Sequence, residues 1–489
     1  MSAGESDWSR RRFLAAAAAA SAAACGDEAS APADASDART RDVPVRDAGE
    51  GRADAEERDA ASDAPPASDA GPSPDTSDAA DASDTSAAPD APDAVRGAAE
   101  DLADAERPQG TKGPFMHVLA AEVGEAPRLR WRVESLGAAT LSLHVTDAEG
   151  GAVYAGVSAV TSADVDFAWP PSTAVTVENR DEPGRYSVHE WVLSPPEGAR
   201  GARLTWEVRG LRGGPVSGSV RVPPAAGEAY RVGWVSDTMF PTSVPVAEQL
   251  AAQGCDLLLH GGDIQYQSNP LDTWNGYFAA FADAHRHAPM HYCVGNHEYE
   301  NVEEVDAMTT RLFGLEVGGY QAFTYAGWRW ILMNSERGFG VDTHVQMRFL
   351  VRELDLVENS PDLRGAVCAF HRPYYTLSRS RPDVDARASV HPRLRDAGVK
   401  LVLTGHNHCY ERFEVEGVTY IMDGGGGAGL YNPDHYADLI ESERPGEGAL
   451  RVVSERRFGL TVMDVGADGR IEGRRVRDTG EESDRWTVG

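Results

Sequence analysis

The chain has 489 residues, enough for more than one domain, and 77 acidic against 46 basic side chains give a formal charge of -31. That balance excludes a protein that grips a nucleic-acid backbone, and it offers an anionic substrate no steering except from local positive charge. Five cysteines, Cys25, Cys255, Cys293, Cys368 and Cys409, are too few for a disulfide framework.

The N-terminus reads as an address. Ser9-Arg10-Arg11-Arg12-Phe13-Leu14 resembles a twin-arginine export signal, and Ala15 to Ala20 supply a weakly apolar run. Ala22-Ala23-Ala24-Cys25-Gly26 resembles a lipobox with Cys25 as the acylated residue. The stretch is too short and alanine-rich for a spanning helix, so residues 1–25 predict a signal and a lipid anchor facing the periplasm or cell surface. The alternative is an ordinary cleaved signal with an incidental cysteine. Residues 26–109 are Asp, Ala, Ser and Pro with almost no large apolar side chains. Within 26–107, 23 acidic face 7 basic residues, about half of the chain's net charge. Such a segment cannot offset its chain entropy by burial, and it predicts a disordered, self-repelling tether.

From residue 110 to 226 the texture becomes β-rich. Leu141, Leu143 and Val145 alternate with polar residues, as do Leu204, Trp206 and Val208. Turn signals at Asp147 to Gly151 and at Glu182-Pro183-Gly184 separate short strands, which fits a small antiparallel sandwich. A structural or docking module is the expectation; a surface-binding role would use exposed aromatics such as Trp191.

Residues 227–489 change to alternating strands and helices. Arg231 to Ser236 reads as a strand delivering Asp237, and Ser243 to Gln253 as a helix stopped by Gly254. Asp256 to His260 is the next strand, ending in Gly261-Gly262-Asp263, with Tyr266 close behind. A helical stretch near Leu271 to His287 precedes a strand over Met290 to Val294, which ends in Gly295-Asn296-His297-Glu298. Phe323 to Asn334 reads as a strand pair and Thr343 to Val357 as a helix. Ala366 to Phe370 delivers His371, and Lys400 to Leu403 leads into Thr404-Gly405-His406-Asn407-His408. Polar residues at successive strand ends converge on one edge of an α/β sheet, where ligands bind. Cys255, Cys293 and Cys368 lie in or beside strands and read as small buried hydrophobes; Cys409 reads as packing in preference to a thiolate ligand.

The set Asp237, Gly262-Asp263-Ile264-Gln265-Tyr266, Gly295-Asn296-His297-Glu298, His371 and Gly405-His406-Asn407-His408-Cys409-Tyr410-Glu411-Arg412 resembles the metallophosphoesterase (calcineurin-like) superfamily, and within it the purple acid phosphatases. Tyr266, Tyr410-Glu411-Arg412 and the glycine-rich run from Met422 to Tyr431 carry the closer likeness, which spans about residues 229–478. The resemblance implies an α/β/β/α catalytic sandwich after a fibronectin-III-like sandwich. It also implies two metal ions, with Asp237, Tyr266 and His408 on one, Asn296, His371 and His406 on the other, and Asp263 bridging. Oxygen donors suit Fe(III), while imidazoles and an amide suit a divalent Fe, Zn or Mn. The implied activity is hydrolysis of phosphomonoesters by metal-hydroxide attack on phosphorus, with His297 as proton donor and Glu298 orienting a histidine. A phosphodiesterase or nucleotide pyrophosphatase on the same site, or a non-catalytic surface binding protein, are the alternatives.

The pattern departs from the family in two places. Met239 stands two residues beyond Asp237, where the family usually has a small residue. In relatives lacking the tyrosine, a ligating histidine commonly takes that place. Plant-type enzymes carry catalytic histidines beyond the position of His371, but residues 372–381 contain none. Arg372, Arg379 or Arg381 can take up phosphate there, or all three are solvated loop charges.

Overall fold

A computed structural model describes residues 111–119, 123, 126–136, 140–160, 165–167, 184–211, 213–264, 276–300, 313, 319–336 and 343–489. The signal, Cys25, the linker and Tyr266 lie outside them. Every described residue lies within 79–489.

The first nine strands are β1 (Thr111–Leu119), β2 (Arg128–Leu136), β3 (Ser142–Thr146), β4 (Ala152–Val157), β5 (Ala159–Val160), β6 (Val165–Phe167), β7 (Gly184–Leu193), β8 (Arg203–Arg209) and β9 (Val216–Arg221). They form two antiparallel sheets, β1-β2-β7-β5 with β6 also on β7, and β4-β3-β8-β9. The period-two pattern explains them. Leu141, Leu143, Val145, Leu204, Trp206 and Val208 are all buried in one core with Trp131. Trp191 belongs to that core too: it is 2 % exposed, and its Nε1 donates to the Gly156 carbonyl at 3.1 Å. The expectation of an exposed binding aromatic there is therefore corrected.

Thirteen strands follow: β10 (Tyr230–Val235), β11 (Leu257–His260), β12 (Met290–Tyr292), β13 (Gln321–Tyr325), β14 (Trp328–Leu332), β15 (Gly365–Ala369), β16 (Leu401–Thr404), β17 (Tyr410–Val415), β18 (Val418–Asp423), β19 (Arg451–Glu455), β20 (Gly459–Val465), β21 (Ile471–Arg477) and β22 (Glu482–Val488). The helices among them are α1 (Val244–Ala252), α2 (Ala282–His285), α3 (Asn296–Glu300), α4 (Thr343–Asn359), α5 (Val384–Asp396) and α6 (Ala437–Glu443). One sheet runs β12-β11-β10-β20-β21-β22 and the other β13-β14-β15-β16-β18-β17-β19. β10, β11 and β12 pair in parallel, as do β14, β15, β16 and β18. β11 and β16 are buried at every position, as expected for parallel strands covered on both faces.

A buried ion pair joins the two sheets. Arg475 of β21 lies 3.2 Å from Asp423 at the end of β18, and Thr461 of β20 donates to the same carboxylate at 2.7 Å. Neither this link nor α5 is among the sequence-derived elements; Pro392 inside α5 interrupts its helical signal. Ser243 precedes α1 as expected, but its hydroxyl makes no capping bond, and Gly254 at φ +61° follows the helix end. The four described cysteines are free and buried, and burial pushes the Cys255 and Cys368 thiols up to about 12.

Candidate metal centre

The first sheet brings oxygen donors and the second brings imidazoles. Asp237 leaves β10, Asp263 follows β11 and Asn296 follows β12; His371 follows β15, and His406 and His408 follow β16. Three of these residues sit in the left-handed region that non-glycine residues avoid: Asp237 at φ 59°, Asp263 at φ 54° and His406 at φ 73°. Such strain persists only where the surroundings over-determine it, and it clusters at functional sites. The surroundings here are other loops packed at glycines. A Cβ on Gly405 would stand 2.6 Å from Asp237 Oδ2, and one on Gly262 would stand 2.9 Å from His371 Nδ1. Only glycine permits that approach. Cross-loop bonds hold the arrangement: the His406 amide donates to Asp237 Oδ2 at 2.9 Å, and the Gly405 amide donates to the His371 carbonyl at 2.9 Å.

The ligand atoms converge on His371. Its Nδ1 donates to the Gly261 carbonyl at 2.8 Å, which turns Nε2 toward the site. Asp263 Oδ2, Asn296 Oδ1 and His406 Nδ1 each lie 3.2 Å from that one nitrogen. Three polar atoms crowd one nitrogen that carries at most one proton, an arrangement that suits a cation among them. Burial alone would lower the His371 pKa, but the charge and hydrogen bond of Asp263 outweigh it and push it up to about 10. Burial likewise works against the Asp263 carboxylate, and the charges of His371 and His297 overcome it, holding its pKa below the usual range. Metal binding would displace the His371 proton.

A second group forms beside the first. His408 Nδ1 donates to the Gly429 carbonyl at 2.8 Å, leaving Nε2 facing Asp237 Oδ1 at 3.6 Å. The ring stacks on Tyr431 with centroids 4.0 Å apart. Ser236 Oγ donates to Asp237 Oδ2 at 2.5 Å. All six described ligand candidates are at most 6 % exposed. Asp263, His371 and His406 present ligand atoms within 4.8 Å of one another and could hold a cation, and Asp237 with His408 forms a pair beside them.

The remaining candidates separate. The His297 amide donates to Asp263 Oδ1 at 2.9 Å, and its side chain, 25 % exposed, places Nε2 4.0 Å from Asp263 Oδ2. Glu298 orients backbone, not a histidine: its carboxylate accepts from the amides of Asp263, Ile264 and Gly295 at 2.7–2.8 Å. Burial and the Asp263 charge push the Glu298 carboxyl up to about 7. Arg381 pairs with Glu443 on the surface, away from the ligands, and Arg379 lies over Tyr431, 5.0 Å from the ring centre. Arg372 touches a ligand candidate, with Nη1 3.3 Å from His406 Nε2.

Two residues inside the histidine motif bind neighbouring loop atoms. Asn407, between the two histidines, donates to Thr376 Oγ1 and the Ser380 carbonyl and accepts from the Ser380 amide, tying residues 376–380 to the histidine loop. Glu411 accepts from Thr376 Oγ1 and the Leu377 amide. Glu336, which accepts from Arg372 Nε at 2.8 Å, lies outside every motif and was missed. Like the ligands it follows a strand end, after Asn334-Ser335, and that position was its only signal.

Comparisons with known proteins agree with this geometry. Residues 230–410 match the family model of calcineurin-like phosphoesterases. Probable inactive purple acid phosphatase 9 of Arabidopsis thaliana is 25 % identical over 194 residues, covering 32 % of this chain and 30 % of that protein. Purple acid phosphatase 21 of the same plant is 23 % identical over 275 residues, covering 49 % and 60 %. The chain thus spans less than two thirds of the length of these curated relatives. A purple acid phosphatase from yellow lupin (Lupinus luteus) seeds shares the fold, with a TM-score of 0.62 at 16 % identity, over 78 % of this chain and 75 % of that one. These matches support a purple-acid-phosphatase-like metallophosphoesterase, and the fold is the mixed α/β one.

Proposed function

We propose that the chain is an exported, lipid-anchored binuclear phosphatase that hydrolyses phosphomonoesters. The observation that carries this reading is the meeting of three polar side chains, Asp263, Asn296 and His406, at one nitrogen of His371. Asp237, Tyr266 and His408 would hold one metal, an Fe(III), and Asn296, His371 and His406 a divalent Fe, Zn or Mn, with Asp263 shared. When bound, two such ions supply an activated water and neutralise charge developing on the phosphoryl group. The protein supplies the rest. Glu298 fixes the Asp263 turn, and the Ser236 hydroxyl and His406 amide fix Asp237. His297, beside Asp263 and open to solvent on one side, donates a proton to the leaving oxygen.

Residues 227–489 would be the catalytic part, 110–226 a fibronectin-III-like module packed on it, 26–109 a disordered tether and 1–25 the twin-arginine and lipoprotein signal. The motifs around Arg10-Arg11-Arg12 and Cys25 support export and anchoring. Among the described residues no helix is long and apolar enough to cross a membrane.

Metal analysis with a visible spectrum and a panel of mono- and diester substrates tests the proposal. Close to two metals per chain and turnover of monoesters are expected; no metal would overturn it, and turnover of diesters alone would make it a phosphodiesterase. Tyr266→Phe should bleach the violet-to-pink band of an Fe(III) phenolate. Cys25→Ser should move the protein from the membrane to the soluble fraction.

A further inference from the structure

Strand β11 is leucine at positions 257–259 and then His260, and all four side chains are buried. A fourth leucine would fill that place at no polar cost, whereas burial works against a charged imidazole there and pushes the His260 pKa down to about 3. Both ring nitrogens are bonded, and each bond ends one residue away from a ligand candidate. The amide of Gly262, next to Asp263, donates to Nδ1 at 3.1 Å. That bond fixes the tautomer: the ring proton is on Nε2, which donates to Oγ1 of Thr238, next to Asp237, at 3.1 Å. Tyr277 and Tyr292 pack against the ring, with centroids 5.4 and 6.2 Å away.

The two turns that this ring joins both carry a ligand candidate in left-handed backbone, Asp237 at φ 59° and Asp263 at φ 54°. Non-glycine residues hold that conformation only where their neighbours impose it. Main-chain bonds already tie one turn to the other: the Asp237 amide donates to the Gly262 carbonyl at 3.1 Å, and the Thr238 amide donates to the Asp263 carbonyl at 3.0 Å. The imidazole adds a side-chain strut across the same pair of turns, from the Gly262 amide on one to the Thr238 hydroxyl on the other. On the binuclear reading above, Asp237 and Asp263 serve the same cation, so the spacing of the turns sets the spacing of two ligands. We propose that His260 and Thr238 are positioning residues of the metal centre, a cross-brace that holds the Asp237 and Asp263 carboxylates at the separation one shared cation requires, an assignment that rests on that reading.

The test uses the full chain, stripped of metal by chelation and titrated with Zn(II) by calorimetry, with thermal unfolding of the stripped protein measured alongside. Thr238→Val keeps the bulk and loses the hydroxyl, and it should weaken Zn(II) binding by about 10- to 100-fold. Thr238→Ser keeps the hydroxyl and should bind Zn(II) as wild type does. His260→Phe loses both bonds at similar bulk and should weaken binding at least as much as Thr238→Val. Wild-type Zn(II) affinity in Thr238→Val, even with a lowered unfolding temperature, would overturn the proposal by leaving the pair a purely structural contact. An equal loss in Thr238→Ser would overturn it too, because the hydroxyl would not be the group that matters. Should Thr238→Val fail to fold, His260→Asn decides. It keeps an acceptor for the Gly262 amide, drops the bond to Thr238 and should weaken Zn(II) binding by about 10-fold; wild-type affinity there would overturn the proposal. A wild-type chain that takes up no Zn(II) would instead sink the binuclear reading itself, and that is visible before any variant is made.

Discussion

Two seams run through the molecule, and they are built in opposite ways. Where the two catalytic sheets meet, the chain gathers buried carboxylates and imidazoles, backbone held at positive φ, and glycines under close contact. Where the N-terminal sheets meet the catalytic part, it gathers rings. Phe115 of β1 packs on Phe278 and Phe313, and His291 of β12 stacks on Phe323 with centroids 3.7 Å apart. At the second seam the Val118 amide donates to His291 Nε2 at 3.3 Å and His291 Nδ1 meets Gln321 Oε1 at 3.0 Å, while His117 Nε2, buried among these rings, has no hydrogen-bond partner among the described residues. The polar seam sets Asp263 Oδ2, Asn296 Oδ1 and His406 Nδ1 around one nitrogen of His371, a convergence that suits a cation.

The sharpest way to break the contrast is at the shared carboxylate. Asp263→Asn should bring turnover to background and lower the metal content while leaving the thermal unfolding of the chelated protein near wild type; retained turnover would remove Asp263 from its bridging place. Gly405→Ala comes next. Its Cβ must displace Ser236 and Asp237, so metal stoichiometry should fall below two, and a full complement would show that the close packing there is dispensable. At the ring seam the expected change is in stability. Phe115→Ala should cost about 3–5 kcal/mol in denaturant unfolding with metal content unchanged. An unshifted midpoint would mean that the seam contributes no cohesion.

The smallest effect concerns pH. Burial lowers the His291 pKa to about 3, against an ordinary value of 6.5. Below pH 6.5 the unfolded chain takes up a proton that the folded chain refuses until about pH 3. Stability from this group is therefore complete above pH 6.5 and is lost as pH falls toward 3, by up to about 1.4 kcal/mol per pH unit. His291→Gln, which retains an acceptor for the Val118 amide, should unfold with a shallower pH dependence between pH 6.5 and 4.5. An identical slope would show that His291 does not titrate with unfolding.

Much of the catalytic architecture was legible because β10, β11, β15 and β16 are short apolar runs leading to a polar residue, with glycine before it after β11 and β16. The sequence order of Asp237, Asp263, Asn296, His371, His406 and His408, each at a strand end, is a one-dimensional property; parallel pairing turns it into two edges, one on each sheet, where a single edge was expected. Trp191 was misplaced because burial depends on which sheet face is covered, and a strand pattern with aromatic residues does not state that. Glu298 was assigned to a ring and serves backbone amides instead, because a carboxylate's partners are chosen by loop geometry.

By itself, then, the sequence determined the donor types, their order and their places at strand ends. Tertiary structure decided which nitrogen each imidazole presents: a carbonyl 110 residues away turns His371, and one 21 residues away turns His408. It also decided that Arg372 bonds Glu336 Oε2 through Nε and lies 3.3 Å from His406 Nε2. The physical reason is common to both. Residue type and strand position are local, while hydrogen-bond direction is set by groups that only folding brings within 3 Å.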